Sequence, residues 1–502
     1  MPQLAIKESI ESDSSTQLLE HIISEFHQGQ KSSIVFNQLI KKWIEKLRKD
    51  NTSVNKKQIR ASIGWIINSL DELINESLNK IIHSKRFQRL EASWRGIDYL
   101  VNECGYNKRV KIKVLDISWK EVSKDISKAI EFDQSTLFSK IYSEEYGLPG
   151  GEPYGVILGD YEISHRPSPS QPYDDVATLE GLSAICAAAF SPFVSAASAE
   201  LFGLNNFSEL TSTIKLEQAF KSPEYIKWKN LRKKPDSRFI GLTLPHYLVR
   251  RPYSNKVLEK QKVIYNEDVS KPDAIDYLWG NACYVFGAIL IREFINVGWF
   301  GHIRGVPRGL KAGGLVTNIE KDHHKTDSAD IAAKLNTDVL ITDGLERRLS
   351  DLGFMPLCQC YNTTYSAFYS NQSIQSISEM NNSHLQINSK LSTMLQHIFC
   401  GSRIAHYLKV IIRDKVGSFI TADECERYLQ DWLHRYTTGR EDLEWDEQAR
   451  FPLREANVNV REKPSKPGQF ICVIYLKPHY QLDNMVSELE LVTELSSTYS
   501  SR

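Results

Sequence analysis

Four places in the sequence gather side chains capable of chemistry. In GDYEISH, residues 159–165, Asp160, Glu162 and His165 could form a general acid/base set at a strand end. No G-x-S-x-G or other nucleophile motif accompanies them. The sequence therefore favours a charged strand end whose groups pair structurally. Asp322, His323, His324 and Asp327 are metal-capable, but adjacent histidines on a polar loop seldom reach one ion, and no H-E-x-x-H or other zinc signature is present. Gly305, Gly309, Gly313 and Gly314, with Arg304, Arg308 and Lys311 among them, superficially resemble an anion-binding loop. Without G-x-x-x-x-G-K-[ST], or G-x-G-x-x-G opening a helix, they read as a turn-rich surface loop, and no ATPase is expected. Cys358 and Cys360 form a C-x-C in a run that reads as a strand, with no second thiol pair nearby. Eight cysteines without C-x-x-C fit reduced thiols in a reducing compartment. No catalytic residue, cofactor or metal is expected; if the chain were an α/β enzyme, Asp160, Glu162 and His165 would carry its chemistry.

These residues sit within a chain of 502, long enough for two to four domains. Ser15 or Thr16 can cap a short amphipathic helix with Leu18, Leu19, Ile22, Ile23 and Phe26 on one stripe before Gly29. A second helix spans about Ser33 to Arg48, with Leu39 and Trp43 on its apolar side. A third spans Lys56 to Ile82, with Ile63, Ile66, Leu70 and Leu73 at alternating steps of three and four, as in a helix–helix seam. Another amphipathic helix, Phe87 to Asn102, carries Leu90, Trp94, Ile97, Leu100 and Val101. The central region alternates strands (Val110 to Ile117, Tyr154 to Leu158, Pro192 to Ser198, Ile331 to Ala333, Val339 to Thr342) with helices (Leu179 to Phe190, Tyr277 to Val297, Glu346 to Leu352). Two long helices follow, Leu391 to Val416 and Ala422 to Arg435. A hairpin then joins Ala456–Arg461 to Phe470–Leu476 through a turn containing Pro464, Pro467 and Gly468, and a last extended stretch runs Met485 to Leu495. That terminal strand could pair within the chain or cross to a neighbour's sheet edge.

The fold class expected is mixed α/β or α+β: an N-terminal helical region (1–85), a central α/β region (86–385), and a C-terminal region (386–502) of helices, hairpin and terminal strand. Sixty-two basic residues balance sixty-two acidic ones. Zero net charge leaves no global field for nucleic acid or an anionic membrane, and is compatible with self-association. The basic cluster at 41, 42, 46, 48, 49, 56, 57 and 60 lacks interleaved aromatics and reads as a solvated helix face. No secretory signal or run of roughly 20 apolar residues appears, so a cytoplasmic protein without membrane insertion is expected.

Longer strings carry more information than any of these patterns. RLEASWRGIDYLV (89–101), YGVILGDYEISH (154–165), SPFVSAASAELFG (191–203), FKSPEYIKWKNLRKKPDSRFIGLTLPHYLVRRPY (220–253) and YLWGNACYVFGAIL (277–290) occur in family order. So do ITDGLERRLSDLGFMPLCQCYNTTYSAFYSNQS (341–373), GSRIAHYLKVIIRDKVGSF (401–419) and FPLREANVNVREKPSKPGQFICVIYLKPHYQLD (451–483). From about residue 86 to its end the chain resembles the large sheath subunit of the bacterial type VI secretion system, the TssC/VipB/EvpB family. The resemblance implies pairing with a small sheath subunit (TssB or VipA), polymerisation into a helical sheath around a tube of Hcp hexamers, attachment to a baseplate, and contraction that drives tube and spike out of the cell. It also implies disassembly by a ClpV-like AAA+ unfoldase that reads the helix bearing Leu18, Leu19, Ile22, Ile23 and Phe26. Leu39, Trp43, Ile63, Ile66, Leu70 and Leu73 would then meet the small subunit. Val486, Glu488, Leu489, Leu491 and Val492 would form an inter-subunit strand, and Asp423, Glu424 and Arg427 would face the inner tube. A phage-tail-like or other contractile assembly is the nearest alternative.

Overall fold

The computed structural model describes residues 41–42, 56–148, 150–168, 171–211, 216–254, 265–270, 276–307, 309–323, 334–360, 363, 365–376, 389, 392–415, 422–440, 443, 445–462, 470–478 and 489–495. The chain divides into two compact units, Met1–Lys80 with Ser254–Asn266, and Ile81–Tyr253 with Glu267–Arg502. In the first unit, nearly all of helix α1 (Lys56–Ile82) is present, with Tyr265 donating its hydroxyl to Asn79 Oδ1 at 2.7 Å.

The second unit is built on a six-stranded sheet. Its strands are β1 (Ile157–Ile163), β2 (Phe193–Ala197), β3 (Ile240–Leu244), β6 (Leu315–Val316), β7 (Met355–Gln359) and β8 (Ser366–Phe368), in the order β1-β2-β3-β7-β8-β6. The first four run parallel; β8 is antiparallel to both β7 and β6. Parallel strands need crossovers, which cover both faces and demand apolar residues on both. FVSAA and IGLTL are accordingly buried along their whole length. On one face Phe193, Ile240 and Cys358 pack with helix α4 (Asp175–Ala189), and with Trp119 and Val122 of α3 (Trp119–Lys128). On the other, Val194, Met355 and Leu357 pack with helix α6 (Cys283–Asn296) and with Leu100 of α2 (Lys85–Cys104). The α2–α6 contact depends on Gly96, where an added Cβ would lie 2.5 Å from the Tyr284 ring. A shorter helix, α5 (Ile226–Lys233), precedes β3, and a two-stranded pair, β4 (Tyr247–Leu248) and β5 (Trp279–Gly280), precedes α6. Helix α7 (Asp343–Asp351) leads into β7.

Helix α8 (Leu395–Lys415) runs from the central sheet, where Ile398 packs on the α4 side, into a separate core. Leu395 and Phe399 belong to the α6 side of the central sheet. Ile404, Leu408 and Ile412 belong to a separate cluster with α9 (Ala422–His434), β9 (Leu453–Glu462) and β10 (Phe470–Pro478). Past α10 (Trp445–Arg450), β9 and β10 form the expected hairpin. The terminal strand β11 (Leu489–Leu495) pairs antiparallel with β10 within the chain, Leu489 opposite Leu476 and Val492 opposite Val473. The architecture is thus the mixed α/β one expected.

Two expected strands are absent. Val110–Ile117 alternates as a strand should but enters no ladder. Lys111 reaches Glu152 at 2.6 Å, Lys113 pairs with Glu145, and side chains, not backbone, hold the segment. Val339–Thr342 likewise joins no sheet: His246 N–H bonds Asp338 Oδ1 at 3.0 Å, Thr337 Oγ1 bonds Val339 O at 2.8 Å, and Thr342 precedes α7. The strand expected at Tyr154–Leu158 begins only at Ile157 and runs on to Ile163. The helix expected from Tyr277 starts at Cys283, because Trp279–Gly280 is taken into a β-pair. Ile331–Ala333 lies outside the described residues. Helix α3 escaped notice although its sequence, Ser118-Trp-Lys-Glu121, closes a capping box in which Glu121 Oε2 accepts the Ser118 N–H at 2.8 Å.

Candidate assembly interface

The polar clusters do not converge. Asp160 is exposed and accepts the Ser93 hydroxyl. Glu162 binds His246 Nε2 at 3.2 Å. His165 is buried and stacked on Tyr225, ring centroids 4.1 Å apart, and neither ring nitrogen finds a hydrogen-bond partner among the described residues. Burial, aided by the Arg166 charge, pulls its imidazole below the ordinary value, so it is neutral at pH 7. Three residues with three separate partners do not make a catalytic set.

Asp322 accepts from Lys334 Nζ and Tyr277 OH, both at 2.8 Å; His324 and Asp327 lie outside the described residues. No group of three or more His, Cys, Asp or Glu among the described residues could hold a metal ion. All eight cysteines are free, Cys358 buried in β7 and Cys360 receiving the Tyr369 hydroxyl at 3.6 Å. The glycine loop is consumed by backbone closure. Gly305 N–H bonds Phe368 O at 3.0 Å, Gly314 N–H bonds Gly305 O at 2.8 Å, and a Cβ on Gly314 would meet Phe368 O at 2.2 Å.

What the structure does display is apolar surface on helices. On α1, Ile63 is exposed, Ile66, Leu70 and Leu73 are half-buried, and Ile67 beside them and Trp65 (50%) elsewhere on the helix are exposed too. On α2, Gly96 and Leu100 face the core, whereas Leu90, Trp94 (64% exposed) and Val101, at steps of four and seven, form a stripe in solvent. Leu90, Trp94 and Val101 are therefore not core residues of this chain. Leu18, Leu19, Ile22, Ile23, Phe26, Leu39 and Trp43 lie outside the described residues.

The C-terminal sheet has one edge protected by a helix and one with no further strand beside it among the described residues. Strand β9 turns the backbone groups of Ala456, Val458 and Val460 away from β10, and α9 meets them with side chains. Gln430 donates to Ala456 O and accepts from Val458 N, both at 2.8 Å; Glu426 accepts from Val460 N at 2.8 Å. One helical turn, about 6 Å over four residues, nearly matches a two-residue strand step of about 6.8 Å, so Glu426 and Gln430 reach successive edge groups. A helix laid on an edge in this way blocks further strand pairing. The outer edge of the order β11-β10-β9 is therefore β11, which bears Leu489, Leu491 and Val492. Val486 and Glu488 lie outside the described residues. Asp423, Glu424 and Arg427 are exposed on α9.

Sequence reasoning also missed a buried ion network. Arg250 lies between Glu91 of α2, at 2.7 Å, and Glu267, at 2.6 Å, over the ring of Tyr253. Burial works against its charge, and the two carboxylates more than offset that, holding the guanidinium protonated. His83 extends the network, 3.1 Å from Glu267 and 3.7 Å from Asp276. Only the pairing across about 160 residues would have revealed it.

Two family models cover most of the chain: the EvpB/VC_A0108 tail sheath N-terminal domain over residues 65–375, and the EvpB/VC_A0108 tail sheath gpW/gp25-like domain over residues 384–495. The chain belongs to the EvpB tail-sheath family. It is similar to the type VI secretion system sheath protein TssC1 of Pseudomonas aeruginosa (strain PAO1), 38% identical over 451 residues that cover 89% of each chain. As a member of this family the chain is the large, structural subunit of a type VI secretion system sheath. No helix among the described residues is long and apolar enough to cross a membrane.

Proposed function

We propose that this sheath subunit pairs with a small TssB/VipA-like partner, polymerises with it around an Hcp tube on a baseplate, and contracts to expel that tube. The observation that carries this reading is large apolar side chains left in solvent on each of two helices, Trp65 among them on α1 and Trp94 on α2. A monomer gains nothing by exposing such side chains, whereas an assembly buries them. In this reading Leu39, Trp43, Ile63, Ile66, Leu70 and Leu73 dock the small subunit. The terminal strand, Val486 to Val492, offers its open edge to a neighbouring subunit while α9 keeps β9 closed. Asp423, Glu424 and Arg427, exposed on α9, face the inner tube. The helix at Leu18, Leu19, Ile22, Ile23 and Phe26 is held for a ClpV-like unfoldase, and the sheath works in the bacterial cytoplasm. Division of the chain at residues 85 and 385 separates partner binding, the central α/β body and the inter-subunit sheet.

Mechanical work follows from two packings of the same subunits. Strand pairing between subunits keeps the lattice connected while rigid bodies rotate. Co-purification of the tagged chain with a small subunit tests the pairing. Ile63→Glu with Leu70→Glu should abolish co-purification while leaving the circular dichroism of the chain unchanged. Undiminished co-purification would place the small-subunit interface elsewhere.

A further inference from the structure

The segment Val110–Ile117, KIKVLDI at 111–117, is a strand without a sheet. Lys111 and Lys113, two residues apart, both reach carboxylates of the 145–152 segment, which is the side-chain period of an extended chain. Ile112 and Val114 alternate with them, and Val114 (65%) and Leu115 (52%) stand in solvent. None of the backbone N–H groups from 111 to 117 donates to another described residue. At the end of the segment Tyr161 OH donates to Ile117 O at 2.7 Å and anchors it. An unpaired, apolar, extended backbone is the template that strand addition uses.

The segment also borders a groove of about 320 Å³, with Leu115, Ile117 and Leu137 as apolar wall. Asp116, Glu121 and Asp125 line it against a single cation, Lys140. Glu121 is held ionised, below the ordinary carboxylate range, by hydrogen bonds from the Ser118 side chain and backbone. Lys111 and Lys113 do not offset this charge, since Glu152 and Glu145 occupy them. Lys120 and Lys124 also act on Glu121 from beside the groove, but the lining itself sets three carboxylates against one ammonium and calls for a basic occupant. The edge strand of the C-terminal sheet, β11, reads LELVTEL and is acidic, so β11 of a second copy would bring like charge to it. We propose that residues 111–117 receive a β-strand from a different polypeptide, one that alternates apolar with basic side chains. This inference does not depend on the assignment of the small-subunit site to α1.

The probe is a fluorescein-labelled peptide, KVKVTVK, titrated into the full chain by anisotropy, with EVEVTVE as its counterpart. Binding of the basic peptide, at least tenfold weaker binding of the acidic one, and slowed amide exchange at 111–117 on addition of the basic peptide are expected. Val114→Pro removes a donor at an exposed position and should weaken binding at least tenfold without changing the melting temperature. Asp116→Lys, also on the surface, should narrow or invert the preference between the two peptides. Equal binding of both peptides, or binding without protection of 111–117, would overturn the proposal. Protection of these amides in the chain alone would overturn it too: at all concentrations it means a segment of the same chain, and only at high concentration a second copy.

Discussion

Replacing Gln430 by Leu removes both hydrogen bonds through which α9 closes the outer edge of β9, to Ala456 O and from Val458 N. Val458 is buried, so its N–H is left without water; an unsatisfied buried donor costs about 1–3 kcal/mol. Ala456 is half-buried and its carbonyl regains water, which limits the second loss to about 0.5–1 kcal/mol. The combined effect is about 2 kcal/mol, felt locally because Glu426 still holds Val460. In a chain of several cores a global melt would blur this, so the assay is amide hydrogen exchange at Val458. Each 1.4 kcal/mol is a factor of ten, which makes the expected acceleration roughly 30-fold. Gln430→Glu keeps an acceptor for Val458 N–H and should lose clearly less. The freed edge should also raise the aggregation rate of Gln430→Leu. Exchange at Val458 within threefold of the parent chain would refute the view that these side chains stand in for a neighbouring strand.

Three further outcomes are expected. Arg250→Ala strands the carboxylates of Glu91 and Glu267 in a buried site and should destabilise the chain by about 3–5 kcal/mol; a loss under about 1 kcal/mol in urea titration would contradict the ion network as drawn. His246 is caught between Asp338 at 2.8 Å and Glu162 at 3.2 Å; burial alone would pull its imidazole down, and the two carboxylates raise it well above its ordinary value. A folded-state value above the unfolded one, near 6.5, gives stability that is complete below that pH and lost as pH rises through the raised value. The melting-temperature gap between parent and His246→Gln should therefore be larger near pH 6 than near pH 10, and a gap that widens with pH would count against it. Trp94→Glu, on the solvent face of α2, should leave the melting temperature of the isolated chain within about 2 °C, a surface change being worth about 0.5 kcal/mol or less, yet reduce polymer formation in sedimentation assays.

The parts of this fold that sequence reveals are those with a local cause. Helix α1 runs Lys56–Ile82 as expected, around the three-and-four spacing of Ile63 to Leu73, and Pro464, Pro467 and Gly468 announce the hairpin between β9 and β10. Where a partner decides, local pattern is insufficient. Alternation in KIKVLDI specifies an extended chain and says nothing about whether another strand lies beside it. On α2, Leu90, Trp94, Ile97, Leu100 and Val101 read as one apolar face, yet Leu100 faces the core while Leu90, Trp94 and Val101 face solvent. The amphipathic pattern cannot separate a face that folding buries from one left for assembly. Glu426 and Gln430 look like ordinary polar residues of a helix, because the groups they satisfy come about 30 residues later. The family-specific strings supplied the function that no single site could.

The most direct test of the sheath account is negative-stain electron microscopy of the chain co-expressed with its small-subunit candidate, beside the chain expressed alone. The account predicts hollow tubules in the co-expressed sample and none in the other. A folded chain that stays monomeric in both samples would contradict it.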